Sequence, residues 1–151
     1  MLGKKKKLKI EFFKGQLNKA VEAGIYGMYL SKHNEKQLLY IGESSSVIVH
    51  ASQHLLELRN NPNYRGLTDK TIDDVSLTLS FELLKTAVDD KLLMGEKERK
   101  EQEKKLITEA ITSSDSRKRP LLQDGISDRA IKDREERVKR VEAFIKKVEL
   151  Q

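Results

Sequence analysis

Val75, Leu77, Leu79, Phe81 and Leu83 stand on alternate positions of the run VSLTLSFELL, and no other feature constrains the chain as strongly. A period of two sends these side chains to one face of an extended strand and Ser76, Thr78, Ser80 and Glu82 to the other. A half-buried strand needs paired neighbours and a layer to cover its apolar face, so the chain must build a sheet. Two more segments read as strands. Residues 24–30 (GIYGMYL) are rich in aromatic and aliphatic side chains, and residues 37–41 (QLLYI) end at Gly42. The polar stretch KHNEK between them, with Asn34 at its centre, suits a hairpin tip.

Helical signals separate and follow the strands. Glu43, Ser44, Ser45 and Ser46 read as a helix start with a serine N-cap. Ile48, Ala51, Leu55 and Leu58 then form one apolar stripe over residues 47–59. The loop residues NNPNYRG occupy 60–66. A second helix is expected from about Asp89 to Ile111, where Glu96/Lys100 and Glu101/Lys105 stand at i,i+4 and Leu106, Ile107, Ala110 and Ile111 form a buried end. Residues 113–116 (SSDS) interrupt it, and a basic loop follows. Ser127 caps a last helix running to about Glu149, with Ile131, Val138, Val141, Ile145 and Val148 at near-heptad spacing. Residues 8–23 fit either a short strand or a helix. The expected class is α+β: a small three-stranded antiparallel sheet of residues 24–30, 37–42 and 75–84, flanked by helices, with a C-terminal helix. The expected units are a basic arm and lead-in element (1–23), a central domain (24–123) and an amphipathic helix (124–151).

A chain of 151 residues suits one domain with extensions. It has no cysteine, which excludes disulfides, a thiol nucleophile and a cysteine zinc site. No apolar run is long enough to span a membrane, and the basic N-terminus lacks the apolar stretch of a signal peptide. The expected location is therefore intracellular, in the cytoplasm, without membrane association. Net charge is +6 and unevenly placed: residues 1–60 hold ten Lys/Arg against five Asp/Glu. Much of that excess is Lys4, Lys5, Lys6 and Lys7. Such an arm suits a polyanion, because each phosphate it neutralises releases counterions; it also suits a solubilising tail.

Gly24-Ile25-Tyr26 on the first strand and Tyr40-Ile41-Gly42 on the second spell G-I-Y and Y-I-G, with thirteen residues between the two tyrosines. The pair resembles the GIY-YIG nuclease family over roughly residues 24–123, although the family spacing is usually a few residues shorter. The resemblance implies metal-dependent hydrolysis of DNA phosphodiester bonds with one divalent cation, Mg²⁺ or alternatively Mn²⁺. That chemistry needs a cation against the phosphate, a water that loses its proton and a stabilised leaving oxygen. In the family the paired tyrosines activate or position the water, which assigns that role to Tyr26 and Tyr40. A free phenol titrates near ~10, so either would need help from a cation.

The family carries an arginine about ten residues after the second motif tyrosine and often a histidine four further on. His50 stands at the arginine position and His54 matches the histidine. Arg59 lies about 180° around the helix from His50, whereas Arg65 in the following loop is freer to approach. An i,i+4 histidine pair also suits a transition metal. The family's metal ligand is one glutamate in an E-x-x-L-I setting, which Glu103-Lys104-Lys105-Leu106-Ile107 matches; Glu109 is the alternative, closer to Pro120. With Leu106 at zero, Ile107 falls at about 100°, Glu103 at about 60° and Glu109 at about −60°, so Glu103 lies inside the apolar arc. The family then has Pro followed by Asn; here Pro120 is followed by Gln123, and the resemblance implies that His50, His54 and Gln123 contact the phosphate or assist proton movement. The implied partner is DNA, with Lys4, Lys5, Lys6, Lys7, Arg65, Arg117, Lys118 and Arg119 as backbone contacts, which position without reading sequence.

Two other readings stand beside the nuclease. One is a catalytically degenerate member that binds DNA or protein without cutting, favoured by the missing arginine. The other is a structural partner whose last helix is an interface, although that helix also suits packing on its own core. The last helix also offers a dimer contact. Deleting residues 1–9 is expected to flatten the dependence of log K for DNA on log salt; an unchanged slope would mark the arm as a solubilising tail.

Overall fold

In the computed structural model, residues 7–123 and 134–150 are described. Strands β1 (Lys9–Phe12), β2 (Gly24–Lys32), β3 (Glu35–Ser44) and β4 (Thr78–Thr86) form one sheet in the order β1-β4-β2-β3. The helices are α1 (Leu17–Ala20), α2 (Val47–Asn60), α3 (Asp69–Ile72), α4 (Glu96–Ile111) and α5 (Arg134–Glu149), with 3₁₀ turns at Pro62–Arg65, Lys91–Met94 and Ser116–Lys118.

β2 pairs antiparallel with both β3 and β4, as the three-strand expectation requires. The sheet is nevertheless four-stranded and mixed, because β1 adds parallel to the free edge of β4, Lys9 opposite Thr78 and Phe12 opposite Phe81. The sequence hides β1 because its own side chains are exposed or half-buried. Its anchors, Leu8 and Phe13, flank the strand instead of alternating within it, and both are buried. Leu8 thus belongs to the core, and only an N-terminal truncation that stops before it tests the lysine arm alone.

The β2–β3 hairpin turns on His33 and Asn34, both at positive φ (51° and 66°). Two left-handed residues match the right-handed twist of the strands, which is why a two-residue tip suffices. β4 begins later than the alternation suggested. Val75 is exposed, and the Asp74 carboxylate accepts from both the backbone N–H and the hydroxyl of Ser76, holding a turn there.

Each face of the sheet is covered. Met28, Leu30, Leu39, Leu79 and Phe81 pack with Val47, Ala51 and Leu58 of α2 and with Val141, Phe144, Ile145 and Val148 of α5. Ile25, Leu38 and Ile41 pack with Ile107 of α4 in a second cluster. The described flanks thus share the core of the central segment. The apolar stripe of α5 is spent within the chain, and Lys32, buried on β2, bonds Asp74 and Glu149 to pin the helix end. Ser127 and Ile131 lie outside the described residues.

The long helix expected from Asp89 starts at Glu96. Asp90 accepts from the N–H of Leu92 and closes a separate 3₁₀ turn, and Gly95 follows in extended conformation. Arg99 then donates to the carbonyls of Leu93 and Met94, fastening the turn to α4. Among the described residues no helix is long and apolar enough to cross a membrane.

Candidate active site

The two motif glycines are steric requirements. A Cβ on Gly24 would collide with the Lys85 carbonyl of β4, and one on Gly42 would sit 2.5 Å from the Tyr26 hydroxyl. Tyr26 and Gly42 face each other across β2 and β3, so the second motif glycine makes room for the tyrosine of the first. Tyr26 is fully enclosed, and its Oη lies 2.5 Å from His54 Nε2 on α2.

Ser46 stands at the N-cap of α2, in extended conformation, as the sequence suggested. Its hydroxyl does not cap the helix; it donates to the Val21 carbonyl and ties α2 to the α1 end. Ala51, fully buried, lets α2 approach the sheet closely. His50 and His54 share the inner side of α2, with ring centroids 5.1 Å apart. Tyr26 lies 5.8 Å from His50, and Tyr40 lies 5.8 Å from His54. The four rings expected to act together are therefore one cluster.

They are not equivalent. Tyr40 and His50 are half-buried, whereas Tyr26 and His54 are enclosed. Burial is the main force raising the Tyr26 pKa, with Tyr40 adding to it and Arg65 opposing it. Burial also pushes His54 down to about 3, helped by the Arg65 guanidinium and by His50. Both members of the hydrogen bond are thus neutral near pH 7. A neutral phenol must donate its proton, and His54 Nε2 is its partner among the described residues. The imidazole proton then sits on Nδ1, which has no hydrogen-bond partner. The opposite tautomer would leave two groups unsatisfied, the phenol O–H and the Nδ1 lone pair. With Nε2 engaged by Tyr26, the histidine pair is poorly arranged as transition-metal ligands.

His50 stands where the resemblance expects arginine, and burial lowers its pKa, with Arg65 adding to that and Glu43 and Glu57 opposing it. It therefore does not supply a permanent positive charge. Arg65 does: it is buried, its guanidinium pairs with Glu57 at 2.8 Å, and it lies 6.0 Å over the Tyr40 ring. Arg65, expected as a backbone contact from the loop after α2, is thus buried beside the ring cluster. Its 3₁₀ turn after α2 brings it inward, which helical geometry from His50 does not foretell.

Glu103 is buried on α4, as its angle predicts, and its charge acts on Tyr26 across the sheet; Glu109 is exposed. Sequence reading missed Arg99, which is buried beside it and donates to Glu43 at 2.9 Å. The signal was present, since Arg99, Glu103 and Ile107 follow one another at i,i+4 on the inner face. Gln123 is committed elsewhere. Its amide oxygen accepts from the Ile41 N–H and its NH₂ donates to the Ile41 carbonyl, so it extends the edge of β3 and is not aimed at a phosphate. Arg117 pairs with Glu35, while Lys118 and Arg119 are exposed on the basic loop. Lys7 is exposed, and Lys4, Lys5 and Lys6 lie outside the described residues.

Among the described residues no three His, Asp or Glu side chains converge as a ready metal cage. A single carboxylate is compatible with Mg²⁺, which keeps several waters and takes further oxygens from substrate phosphates. Glu103 is the buried carboxylate that the resemblance assigns to that role. Compared with protein-family models, curated proteins and solved structures, the chain has no match. The resemblance to GIY-YIG nucleases therefore rests on the motif residues of the sequence alone.

The buried neutral histidine has a measurable consequence. Its folded pKa lies below the unfolded value of ~6.5, so the unfolded state binds more protons between those pH values. The stability it contributes is complete above about pH 6.5 and is lost as pH falls toward 3. Urea unfolding across that range should show a steep fall in stability, and His54→Gln should flatten it. A pH slope unchanged by the substitution would mean that His54 is not buried and neutral.

Proposed function

We propose that this protein is a metal-dependent endonuclease hydrolysing DNA phosphodiester bonds through a GIY-YIG-type site. The observation that carries the reading is the Tyr26–His54 hydrogen bond at the centre of a cluster that also holds Tyr40, His50 and Arg65. Both motif tyrosines, the second motif glycine and the matched histidine lie together, although thirteen residues separate the tyrosines and the histidine is on a different element.

The residues divide the work by exposure. Tyr40 and His50 are half-buried, so they are the rings of the cluster that a substrate can reach. His50 is neutral at pH 7, so its imidazole is competent to accept a proton from the attacking water. Tyr26 is enclosed and protonated; it fixes His54 and holds the floor of the cluster in one geometry, a positioning role. Arg65, oriented by Glu57, supplies the positive charge toward which a phosphate and the Tyr40 phenol are drawn. Glu103 would hold the divalent cation, which supplies charge neutralisation at the phosphate when bound.

A specific observation favours the second reading, a degenerate module that binds DNA or protein without cutting. Tyr26 has no exposed surface, and Gln123 spends its amide on the Ile41 backbone. Two groups that the resemblance assigns to the substrate are thereby withdrawn from it.

Cleavage of supercoiled plasmid with Mg²⁺ or Mn²⁺ separates the readings. The nuclease reading expects metal-dependent cutting that Glu103→Gln abolishes, with a loss on the order of 100-fold or more, while Glu109→Gln retains activity. Loss on Glu109→Gln instead would move the metal ligand to the exposed glutamate. A wild type that cuts with neither metal would leave the binding module as the better account.

A further inference from the structure

A cavity of ≈ 470 Å³ lies between the basic loop after α4 and the helix α5. Four cationic side chains line it, Arg117 and Arg119 from the loop and Arg140 and Lys147 from α5, and among the described residues no carboxylate does. Two are already oriented: Arg117 pairs with Glu35 and lies 4.9 Å over the Phe144 ring, and Arg140 pairs with Glu136. Arg119 and Lys147 have no ion pair among the described residues, and both are exposed. Like charges gathered from two elements repel one another, and an anion between them relieves that repulsion.

The loop carrying two of these cations is a built shelf. Asp115 accepts from the Arg117 N–H and caps the 3₁₀ turn. The buried Gln37 amide donates to the carbonyls of Ser116 and Arg119. The N–H groups of Leu121 and Leu122 then donate to the carbonyls of Leu38 and Leu39, so the segment continues as an edge of β3. Cations fixed on such a backbone lose less freedom on binding than those of a floppy tail. The one aromatic ring at the cavity, Phe144, is itself buried and covered by Arg117, so it offers no open face for a base to stack on. The chemistry selects phosphate and ignores base identity.

We propose that this cavity is a second contact for nucleic acid, holding the phosphodiester backbone of the DNA that reaches the tyrosine–histidine cluster. The proposal rests on the reading of that cluster as a DNA site, and it adds α5 to the DNA-binding surface. β3 links the two regions: it carries Tyr40 on one side of the hairpin edge and receives the shelf through Leu38, Leu39 and Ile41.

The test is binding of a fluorescent duplex DNA by the full chain, read by anisotropy over a salt series without divalent metal. The double variant R119E/K147E reverses the two unpaired cations. R117 and R140 stay in place, since their ion pairs hold local structure. K91E/K97E makes the same change of net charge at exposed positions on the other end of the α4 region, and thermal melts verify that both variants fold. The expected result is at least about a tenfold loss of affinity for R119E/K147E, with a log K–log salt slope shallower by about two, and a much smaller loss for the control. Equal losses in both variants would reduce the effect to bulk charge and overturn the proposal. An unchanged R119E/K147E in a chain whose wild type binds DNA would overturn the cavity alone. A wild type that does not bind DNA would overturn it together with the reading on which it rests.

Discussion

Everything at the candidate site depends on one enclosed phenol finding a partner. Tyr26 is fully buried on the central strand, and an unsatisfied hydroxyl there would cost about 1–3 kcal/mol. His54 Nε2 meets it at 2.5 Å, which fixes how α2 lies on the sheet. The contact needs Gly42, because any side chain there would enter the space of the Tyr26 ring. It also needs the close approach that buried Ala51 allows. A steric rule on β3 and a polar rule on β2 and α2 therefore act as one constraint, and together they give the motif its physical meaning.

Charge around that contact is arranged in pairs that join a buried arginine to a more exposed glutamate. Arg65 is held by Glu57 and Arg99 by Glu43, one pair on the α2 side of the cluster and the other reaching from α4 to the end of β3. Desolvating the arginine of each pair offsets much of the attraction, so the pairs are poor sources of net stability. What they provide is orientation. Arg65 keeps a permanent charge beside three titratable rings and depresses both histidines. The result is a neutral, cation-flanked cluster whose protonation is set by the fold and does not depend on a bound anion.

Much of this was legible in the sequence, and the failures have identifiable causes. β2, β3 and α2 announced themselves by apolar content, turn chemistry and a stripe at helical spacing. Glu103 was readable as inward from its angle to Leu106. β1 stayed undecided between strand and helix, because Leu8 and Phe13 anchor it from outside its own span and its pairing with β4 is carried by the backbone. The start of α4 was misplaced because Asp90 diverts the chain into a 3₁₀ turn that helical propensity does not register. The placements of Arg65 and Gln123 were not legible for a shared reason: they are fixed by tertiary partners, Glu57 and the Ile41 backbone, which no local pattern encodes.

The most direct test of the account is the protonation pattern of the His54 ring, read from its two ¹⁵N shifts in the folded protein at neutral pH. The account predicts a neutral imidazole with the proton on Nδ1 and an acceptor Nε2, and a change at Nε2 when Tyr26 is replaced by Phe. An imidazolium, or a proton on Nε2 indifferent to Tyr26→Phe, would contradict it.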